Sequence, residues 1–350
     1  MSYKDFHIAE CVGKGSFASV YKVIRRSDAK VYALKRVKID KLSREEIGSV
    51  LNEIRFLASL QTNHIVRFFD AFLESEEREL CMVMEYCGGG DLSHKIERYR
   101  KRKMWIEERV IWQYLHQALK ALSALHKQGI VHRDIKPANC FLDEKGALKL
   151  GDLNVSKRLN TQGLLLTQVG TPYYMSPEMW NAKAYNASSD MWALGCLVYE
   201  LAALKPPFSG RNITELRNSI CMGKYSPIPA MYSQSLRKMI ADLLRVNPHQ
   251  RPTALSLLKC IISSTRSKSL RDDADTKITA EKENVLIETI KFPQNLRRLS
   301  ENLPRACYPD CLPLIAGNLE PKASVVVEPS SNAALSLPPL ARPRLLPLAL

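Results

Sequence analysis

The middle of the sequence carries two acids and an amide at spacings that suit phosphoryl transfer. Asp134 is followed after four residues by Asn139, and Asp152 comes after the next apolar segment. Phosphoryl transfer requires a protein to orient the attacking hydroxyl and to neutralise the charge on the phosphates. One carboxylate can face that hydroxyl, while a second carboxylate and an amide oxygen hold Mg²⁺. The three residues therefore predict a site for this reaction.

A glycine-containing stretch near the N-terminus is typical of a loop that approaches phosphates closely. Gly13, Lys14 and Gly15 precede residues 20–24, whose pattern continues as a strand. A dinucleotide-binding fold needs a helix directly after such glycines. The sequence therefore favours a hairpin folded over a nucleotide, because glycine lets the backbone come close to phosphate.

Other elements are predicted from hydrophobic spacing and from the residues that begin and end helices. Ser43 and Glu46 form a capping box at the start of a helix with apolar residues at helical spacing. The predicted strands are residues 6–11, 20–24, 31–35, 64–69 and 80–85. The later helices are predicted at residues 110–125, 190–201, 212–222, 233–245 and 253–262.

Together these motifs resemble the signature set of the protein kinases. The closer resemblance, to the NIMA-related (Nek) serine/threonine kinases, is carried by GTPYYMSPE, HRDIKPAN and VMEYCGGGDL. It covers roughly residues 5–262. The resemblance implies an α+β, bilobal kinase fold, with a small β-rich N-lobe that includes helix C and a larger, mainly helical C-lobe. The implied domain is residues 4–262, divided at about residue 87 into N-lobe and C-lobe.

The sequence changes character after residue 262. Ten of the 19 prolines fall in residues 263–350, together with clusters of serine. We expect this tail to be mostly disordered, because its composition offers little apolar surface to bury. A short helix is predicted near residues 283–291, and TIKFPQNLRRLSENLPRACYP is a candidate for docking on a partner or on the kinase lobe.

By resemblance, the catalytic loop supplies most of the chemistry. Asp134 would orient the substrate hydroxyl and accept its proton, and Lys136 would neutralise the transferring phosphoryl group. Asn139 and Asp152 would bind Mg²⁺. The implied reaction is transfer of the γ-phosphoryl of ATP to Ser or Thr hydroxyls of protein substrates, so ATP and Mg²⁺ are the expected cofactors.

The resemblance also assigns residues of the N-lobe. Lys35 would bind the phosphates, and Glu53 of helix C would form the ion pair with Lys35 that marks the active arrangement. Met84 would be the gatekeeper beside the adenine pocket. The other implied ATP-binding residues are Gly13, Lys14, Gly15, Val20, Ala33, Glu85 and Cys87.

Two threonines and one ion pair complete the implied site. Thr167 would be the activating phosphosite, reached by an upstream kinase or by self-phosphorylation, although a threonine in a polar loop is more often merely solvated. Thr171 would help to select Ser/Thr hydroxyls. Glu178 is expected to pair with Arg251 as a buried structural contact.

Two residues depart from the family pattern. Ala18 stands where the third glycine of the loop is usual, and Asn154 follows Asp152 and Leu153 where glycine is usual. They leave open an alternative, a catalytically weak or inactive kinase-fold scaffold. An active enzyme is favoured because the loss of Lys35 or of either acid would be needed to support the scaffold, and all are present.

The charge of the chain has two explanations. The formal net charge is +15, of which residues 263–350, with 12 Lys+Arg and 10 Asp+Glu, supply only +2. A basic domain can bind nucleic acid or an acidic membrane surface. No nucleic-acid recognition motif accompanies the charge, so binding of polyanionic ATP and acidic partners is favoured.

Cysteine usage and hydropathy predict an intracellular protein. The nine cysteines are scattered without a C-x-x-C motif, as in a reducing cytosol or nucleus. Neither a secretory leader nor a bilayer-spanning apolar run is expected. Family analogy indicates the cytoplasm, cytoskeleton, centrosome, cilium or nucleus, with roles in the cell cycle, at microtubules or in cilia and flagella. The sequence predicts no oligomeric state.

Overall fold

The computed structural model describes residues 2–15, 18–60, 62–74, 78–152, 172–266 and 303–308. All of them belong to the first of two units, residues 1–310, and none belongs to the second, residues 311–350. They form a β-sheet N-lobe and a mainly helical C-lobe, which confirms the fold class predicted from the sequence.

The N-lobe is built on one antiparallel sheet of five strands in the order β1-β2-β3-β5-β4. The strands are β1 (Phe6–Lys14), β2 (Ala18–Arg25), β3 (Val31–Lys38), β4 (Phe68–Glu74) and β5 (Glu79–Glu85). Strands β1, β2 and β3 pair in chain order, β5 lies between β3 and β4, and β1 and β4 are the two edge strands.

The predicted strand at residues 64–69 was wrong at its start, because β4 begins only at Phe68. Ile65 instead forms an isolated parallel bridge with Leu150 of the C-lobe. The backbone amide of Val66 donates to the Leu150 carbonyl at 2.8 Å, and the Leu150 amide donates to His64 at 2.9 Å. The backbone groups of residues 64–66 therefore bond to the C-lobe instead of extending the sheet.

Helix α1 (Arg44–Ser59) lies between β3 and β4 in the chain and begins with the predicted capping box. The Ser43 amide donates to the Glu46 carboxylate at 2.8 Å, and the Glu46 amide donates to the Ser43 hydroxyl at 3.3 Å. These reciprocal bonds satisfy two amides that the first turn of a helix leaves without partners.

The sheet has two apolar faces because side chains alternate along each strand. On β5, Leu80 and Met82 pack with the buried side of α1, while Cys81 and Val83 pack on the opposite face. We call that opposite face the second face. Its buried members are Phe6, Val23, Tyr32, Leu34, Phe69, Phe72, Cys81, Val83 and, from the tail, Tyr308.

The C-lobe contains seven helices and one short hairpin among the described residues. The helices are α2 (Leu92–Lys101), α3 (Glu108–Lys127), α4 (Pro177–Trp180), α5 (Ala187–Ala203), α6 (Ile213–Met222), α7 (Gln234–Leu243) and α8 (Ala254–Arg266). The hairpin consists of β6 (Cys140–Leu142) and β7 (Leu148–Leu150). The four helices predicted at residues 110–125, 212–222, 233–245 and 253–262 are confirmed, with small shifts at their ends.

Helix α5 is the centre of the C-lobe. It is buried on nearly all sides, as its continuously apolar sequence predicts. Its Trp192 stacks on Phe208 with ring centroids 5.3 Å apart. The N-terminal turn of this helix reaches the catalytic loop, so the most deeply buried helix positions the functional residues.

Two expectations about the tail have different outcomes. The short helix near residues 283–291 lies outside the described residues, as does most of the tail. The hypothesis that part of TIKFPQNLRRLSENLPRACYP docks on the kinase lobe is confirmed for residues 303–308. Within that segment the Tyr308 side chain is buried in the N-lobe, with 5% of its surface exposed.

Candidate active site

The catalytic loop brings three predicted residues within hydrogen-bond distance of one another. Nζ of Lys136 lies 3.0 and 2.8 Å from the two carboxylate oxygens of Asp134. Nδ2 of Asn139 donates to the Asp134 backbone carbonyl at 2.8 Å and to Oδ2 of Asp134 at 2.9 Å. The Asp134 side chain keeps 28% of its surface exposed, so a substrate hydroxyl can still approach it.

The backbone of this loop is held by hydrogen bonds to a buried carboxylate of α5. Asp190, whose side chain is fully buried, accepts the backbone amides of His132 at 2.9 Å and of Arg133 at 3.1 Å. Arg133 has a φ of 70°, in the left-handed region that a non-glycine residue adopts only when its surroundings hold it there. The loop conformation therefore depends on Asp190.

Asp190 is itself kept charged by its neighbours. Nε2 of His126 lies 2.8 Å from its Oδ2, and the Tyr185 hydroxyl donates to Oδ1. Burial opposes ionisation of Asp190, yet the contacts with His126, His132 and Tyr185 outweigh burial and hold its pKa below the ordinary value. No sequence motif marked His126 or Tyr185 as partners of Asp190.

The His132 side chain packs inside the protein. Its side chain is fully buried, and burial lowers the pKa of the imidazole. A neutral, enclosed imidazole suits packing between the lobes more than proton transfer.

The β6–β7 hairpin places Asp152 beside the catalytic loop. The Gly151 amide donates to the Asn139 carbonyl at 3.0 Å, directly before Asp152. A Cβ on Gly151 would lie 2.7 Å from the Phe141 ring, so only glycine fits at this contact. Asp152 follows with a φ of 52°, again in the left-handed region.

Asp152 forms an ion pair with the N-lobe. Nζ of Lys35 lies 2.9 Å from Oδ1 of Asp152. The Lys35 ammonium is the main cause that holds the pKa of Asp152 below its ordinary value, against the opposing effect of burial. Two residues 117 positions apart in the chain are thus brought into contact across the cleft between the lobes.

The glycine hairpin has the predicted form. Gly13 pairs with Val20 and Lys14 with Ser19 across β1 and β2, and the Gly15 amide donates to the Ala18 carbonyl at 2.7 Å. Ala18 begins β2 in strand conformation, which alanine adopts without strain.

The strand pairing brings together four of the residues that the resemblance assigns to ATP binding. Val20 lies opposite Lys35, and Ala33 lies opposite Met84. The Glu85 amide already donates to the Arg67 carbonyl at 2.8 Å, and the Cys87 carbonyl accepts the Gly90 amide at 3.3 Å.

Glu85 and Cys87 both belong to the segment at the end of β5, residues 85–90, which we call the hinge. Each of the two residues thus uses one backbone group within the protein. The Glu85 carboxylate pairs with Lys149 at 2.9 Å, a contact that no sequence motif marked.

The glycines after the hinge are required by close packing. The Gly89 amide donates to the Leu142 carbonyl at 2.9 Å, and the Leu142 amide donates to the Gly90 carbonyl at 2.8 Å. A Cβ on Gly89 would lie 2.7 Å from the Asp143 carbonyl oxygen. Gly90 has a φ of 74°, which favours glycine.

Asn139 and Asp152 have the donor groups that Mg²⁺ prefers. Because Nδ2 of Asn139 donates two hydrogen bonds to Asp134, its Oδ1 is the atom left for a cation. In the described part of the chain, no cluster of three or more His, Cys, Asp or Glu side chains could hold a metal. A site of one carboxylate and one amide oxygen fits Mg²⁺ bound together with substrate phosphates and water.

The predicted pair of Glu178 and Arg251 is confirmed, whereas several other predicted site residues lie outside the described residues. Arg251 and Glu178 form two hydrogen bonds of 2.7 Å each. Glu53 lies within α1, but its side chain is not among those described. Thr167, Thr171 and Asn154 also lie outside the described residues. Their assigned roles stay predictions.

Comparison with known proteins gives a consistent result. The sequence model of the protein kinase domain matches residues 6–260. The chain is 42% identical over 257 residues to the probable serine/threonine-protein kinase nek2 of Dictyostelium discoideum, covering 73% of this chain and 62% of that protein. It is 39% identical over 286 residues to the G2-specific protein kinase fin1 of Schizosaccharomyces pombe, covering 76% and 40%.

The human serine/threonine-protein kinase Nek2 is 37% identical over 262 residues, covering 73% of this chain and 59% of that protein. The chain thus spans between 40% and 62% of the length of these three relatives. In the described ranges, no helix combines the length and apolar character that crossing a membrane requires.

Proposed function

Because the chain belongs to the protein kinase family, we propose that it transfers the γ-phosphoryl group of ATP to Ser or Thr hydroxyls of protein substrates. The observation that carries this proposal is the joint placement of the Asp134–Lys136–Asn139 cluster and the Lys35–Asp152 pair on either side of one cleft. The proposed kinase domain is residues 4–262. The serine/threonine kinases among the relatives support the choice of acceptor.

Asp134 orients the acceptor in this mechanism. Its carboxylate accepts the proton of the substrate hydroxyl while the hydroxyl oxygen forms a bond to the γ-phosphorus. The bond between the γ-phosphorus and the bridging oxygen breaks, and ADP leaves with that electron pair. The Lys136 ammonium, already within 2.8 Å of Asp134, neutralises charge on the transferring group.

Lys35 and the metal ligands hold the donor. The Lys35 ammonium contacts the phosphates, and Asn139 with Asp152 holds Mg²⁺ against them. When bound, Mg²⁺ supplies neutralisation of phosphate charge. Backbone groups of Glu85 and Cys87 bind adenine, as the resemblance implies.

The proposal also includes the regulation of the kinase and its cellular role. Thr167 would be phosphorylated by an upstream kinase or by the enzyme itself, and Glu53 would pair with Lys35 in the active arrangement. The relatives named as G2-specific kinases favour a role in the cell cycle. The proposed location, by family analogy, is the cytoplasm, the cytoskeleton or the nucleus.

The test is transfer of labelled phosphate from Mg-ATP to a generic protein substrate. Wild type would be run beside Asp134→Asn and Lys35→Met, each purified in the same way. Incorporation by wild type alone supports the proposal. Equal incorporation by all three identifies a contaminating kinase, and absence of Mg-dependent ATP binding by wild type would contradict a nucleotide site.

A further inference from the structure

A short piece of the tail packs against the second face of the N-lobe sheet. Residues 303–308, which we call the docked segment, contact the sheet although residues 267–302 separate them from α8. The segment lies outside the part of the chain that matches the kinase domain, residues 6–260. The family fold therefore does not require this contact.

Tyr308 is the anchor of the docked segment. Its ring stacks on Phe69 with centroids 5.8 Å apart and meets the Tyr32 ring edge-on at 5.5 Å. The Arg25 guanidinium lies 3.5 Å from the centre of the same ring. Two aromatic rings and a cation thus enclose Tyr308, an arrangement that favours an aromatic guest.

The pocket is held in shape by its own polar contacts. Nη1 of Arg25 lies 3.1 Å from the Asp28 carboxylate, and the Tyr32 hydroxyl donates to that carboxylate at 2.8 Å. Only 8% of the Arg25 surface is exposed. The guanidinium is therefore fixed by residues of the kinase domain with its face toward Tyr308.

The backbone of the segment also bonds to the sheet. The Cys307 amide donates to the Phe69 carbonyl at 2.8 Å. Phe69 is the extra residue of a bulge, because the pairing of β4 with β5 shifts register between Phe68 and Asp70. An edge strand offers such backbone groups to an added chain, which is one way that domains bind peptides.

The remaining residues of the segment are exposed, as in a linear binding motif. Arg305, Ala306 and Cys307 are exposed, whereas Leu303 is half-buried against apolar residues of the core. One enclosed aromatic anchor, one flanking apolar contact and one main-chain bond are the minimal set for recognition of an extended peptide.

We propose that the second face of the N-lobe sheet is a peptide-docking site whose ligand is the docked segment of the same chain, with Tyr308 as its anchor. The docking joins the tail to β3 and β4 on the face opposite α1. Tyr32 lies three residues before Lys35 on β3, so the anchor braces the strand that carries the phosphate-binding lysine. The docking does not depend on kinase activity.

The test uses full-length chains and a labelled peptide with the sequence of residues 301–310. In the Tyr308→Ala chain the site is vacated, so this chain binds the peptide. Wild type, whose own segment occupies the site, binds at least about tenfold more weakly. Arg305→Ala changes only an exposed side chain, so it behaves as wild type. Tyr308→Phe keeps the ring but loses the 3.5 Å contact of the hydroxyl with Asp70, so it stays docked and binds the peptide less than Tyr308→Ala does. A peptide with alanine in place of its tyrosine does not bind to any of the chains.

Hydrogen exchange at the Cys307 amide gives a second readout without added peptide. We expect slow exchange in wild type and Arg305→Ala, and faster exchange in Tyr308→Ala and, to a smaller degree, in Leu303→Ala. Equal peptide binding by wild type and Tyr308→Ala, or equal exchange in all four chains, would overturn the proposal. Protection that rises with protein concentration would overturn docking within one chain in favour of exchange between two copies.

Discussion

Arg251 and Glu178 meet through two parallel hydrogen bonds of 2.7 Å each, although 73 residues separate them in the chain. The Arg251 side chain is fully buried, and only 4% of the Glu178 side chain is exposed. Arg251 also donates to the carbonyls of Ser188, Arg245 and Val246. The pair therefore joins the segment after residue 171 to α5 and to the loop before α8.

Replacing Arg251 by alanine should strongly destabilise the C-lobe. The change leaves Glu178 buried without its cation, which costs about 3–5 kcal/mol in the free energy of unfolding. Urea denaturation followed by tryptophan fluorescence measures the loss. Lys238→Ala, which breaks an exposed pair with Asp242, is the control and should change stability by less than about 1 kcal/mol. Equal effects of the two changes would contradict a structural role for the buried pair.

Asp134→Asn should reduce kcat by about 100- to 10,000-fold, because the amide cannot accept the proton of the substrate hydroxyl. Steady-state phosphorylation of a generic substrate measures this loss. Asp143→Asn is the matched control, since Oδ1 of Asp143 only accepts the amides of Lys145 and Ala147 in a turn. An asparagine oxygen can accept the same bonds. Comparable loss in both variants would argue against proton acceptance by Asp134.

Asp70→Asn should stabilise the protein by an amount that depends on pH. Burial raises the pKa of Asp70 above its ordinary value of 3.8, so its ionised form is disfavoured in the folded state. Wild type therefore loses stability as pH rises from below 3.8 through the raised folded-state pKa, whereas the asparagine does not titrate.

The gain from Asp70→Asn should accordingly be smallest at low pH, grow as pH rises through the folded-state pKa and become constant above it. Urea denaturation at a series of pH values measures the gain. A gain that is the same at every pH would show that titration of Asp70 is not its cause.

Gly89→Ala should destabilise the protein, while Gly48→Ala should stabilise it. A Cβ on Gly89 would lie 2.7 Å from the Asp143 carbonyl oxygen, whereas nothing lies within 4 Å of a Cβ on Gly48. The added methyl group would push the hinge away from the β6–β7 hairpin, which should lower the free energy of unfolding by about 1–3 kcal/mol. Alanine inside helix α1 is favoured over glycine by about 0.5–1 kcal/mol. Thermal unfolding of both variants compares the two effects, and a rise in Tm for Gly89→Ala would refute the close approach.

Sequence patterns correctly predicted features that depend on residues close together in the chain. The capping box of Ser43 and Glu46 depends on a few consecutive residues, and its observed bonds match the prediction. Asp134 and Asn139 lie five positions apart, so their proximity is also largely local. The contact of Lys35 with Asp152 spans 117 positions and was not predicted, because the resemblance paired Lys35 with Glu53 instead.

Sequence patterns failed where contacts with residues distant in the chain determine the local structure. Residues 64–69 have the composition of a strand, but the backbone around Ile65 pairs with Leu150 of the other lobe. Tyr308 lies in a Pro- and Ser-rich tail, and nothing in its neighbourhood predicts a cage formed by Arg25, Tyr32 and Phe69. Such contacts follow from the tertiary arrangement and leave no periodicity in the sequence.

The β6–β7 hairpin bonds both to the segment between α1 and β4 and to the segment that links the two lobes. Its Leu150 exchanges backbone bonds with residues 64–66, and its Leu142 exchanges them with Gly89 and Gly90. A rotation of the N-lobe that keeps these bonds would turn about an axis close to this hairpin. Since Asp152 directly follows the hairpin, it lies near the axis and moves little, whereas the tip of the glycine hairpin travels farthest. Opening of the cleft would therefore move the glycine hairpin away from the nucleotide, while Asn139 and Asp152 would stay in place.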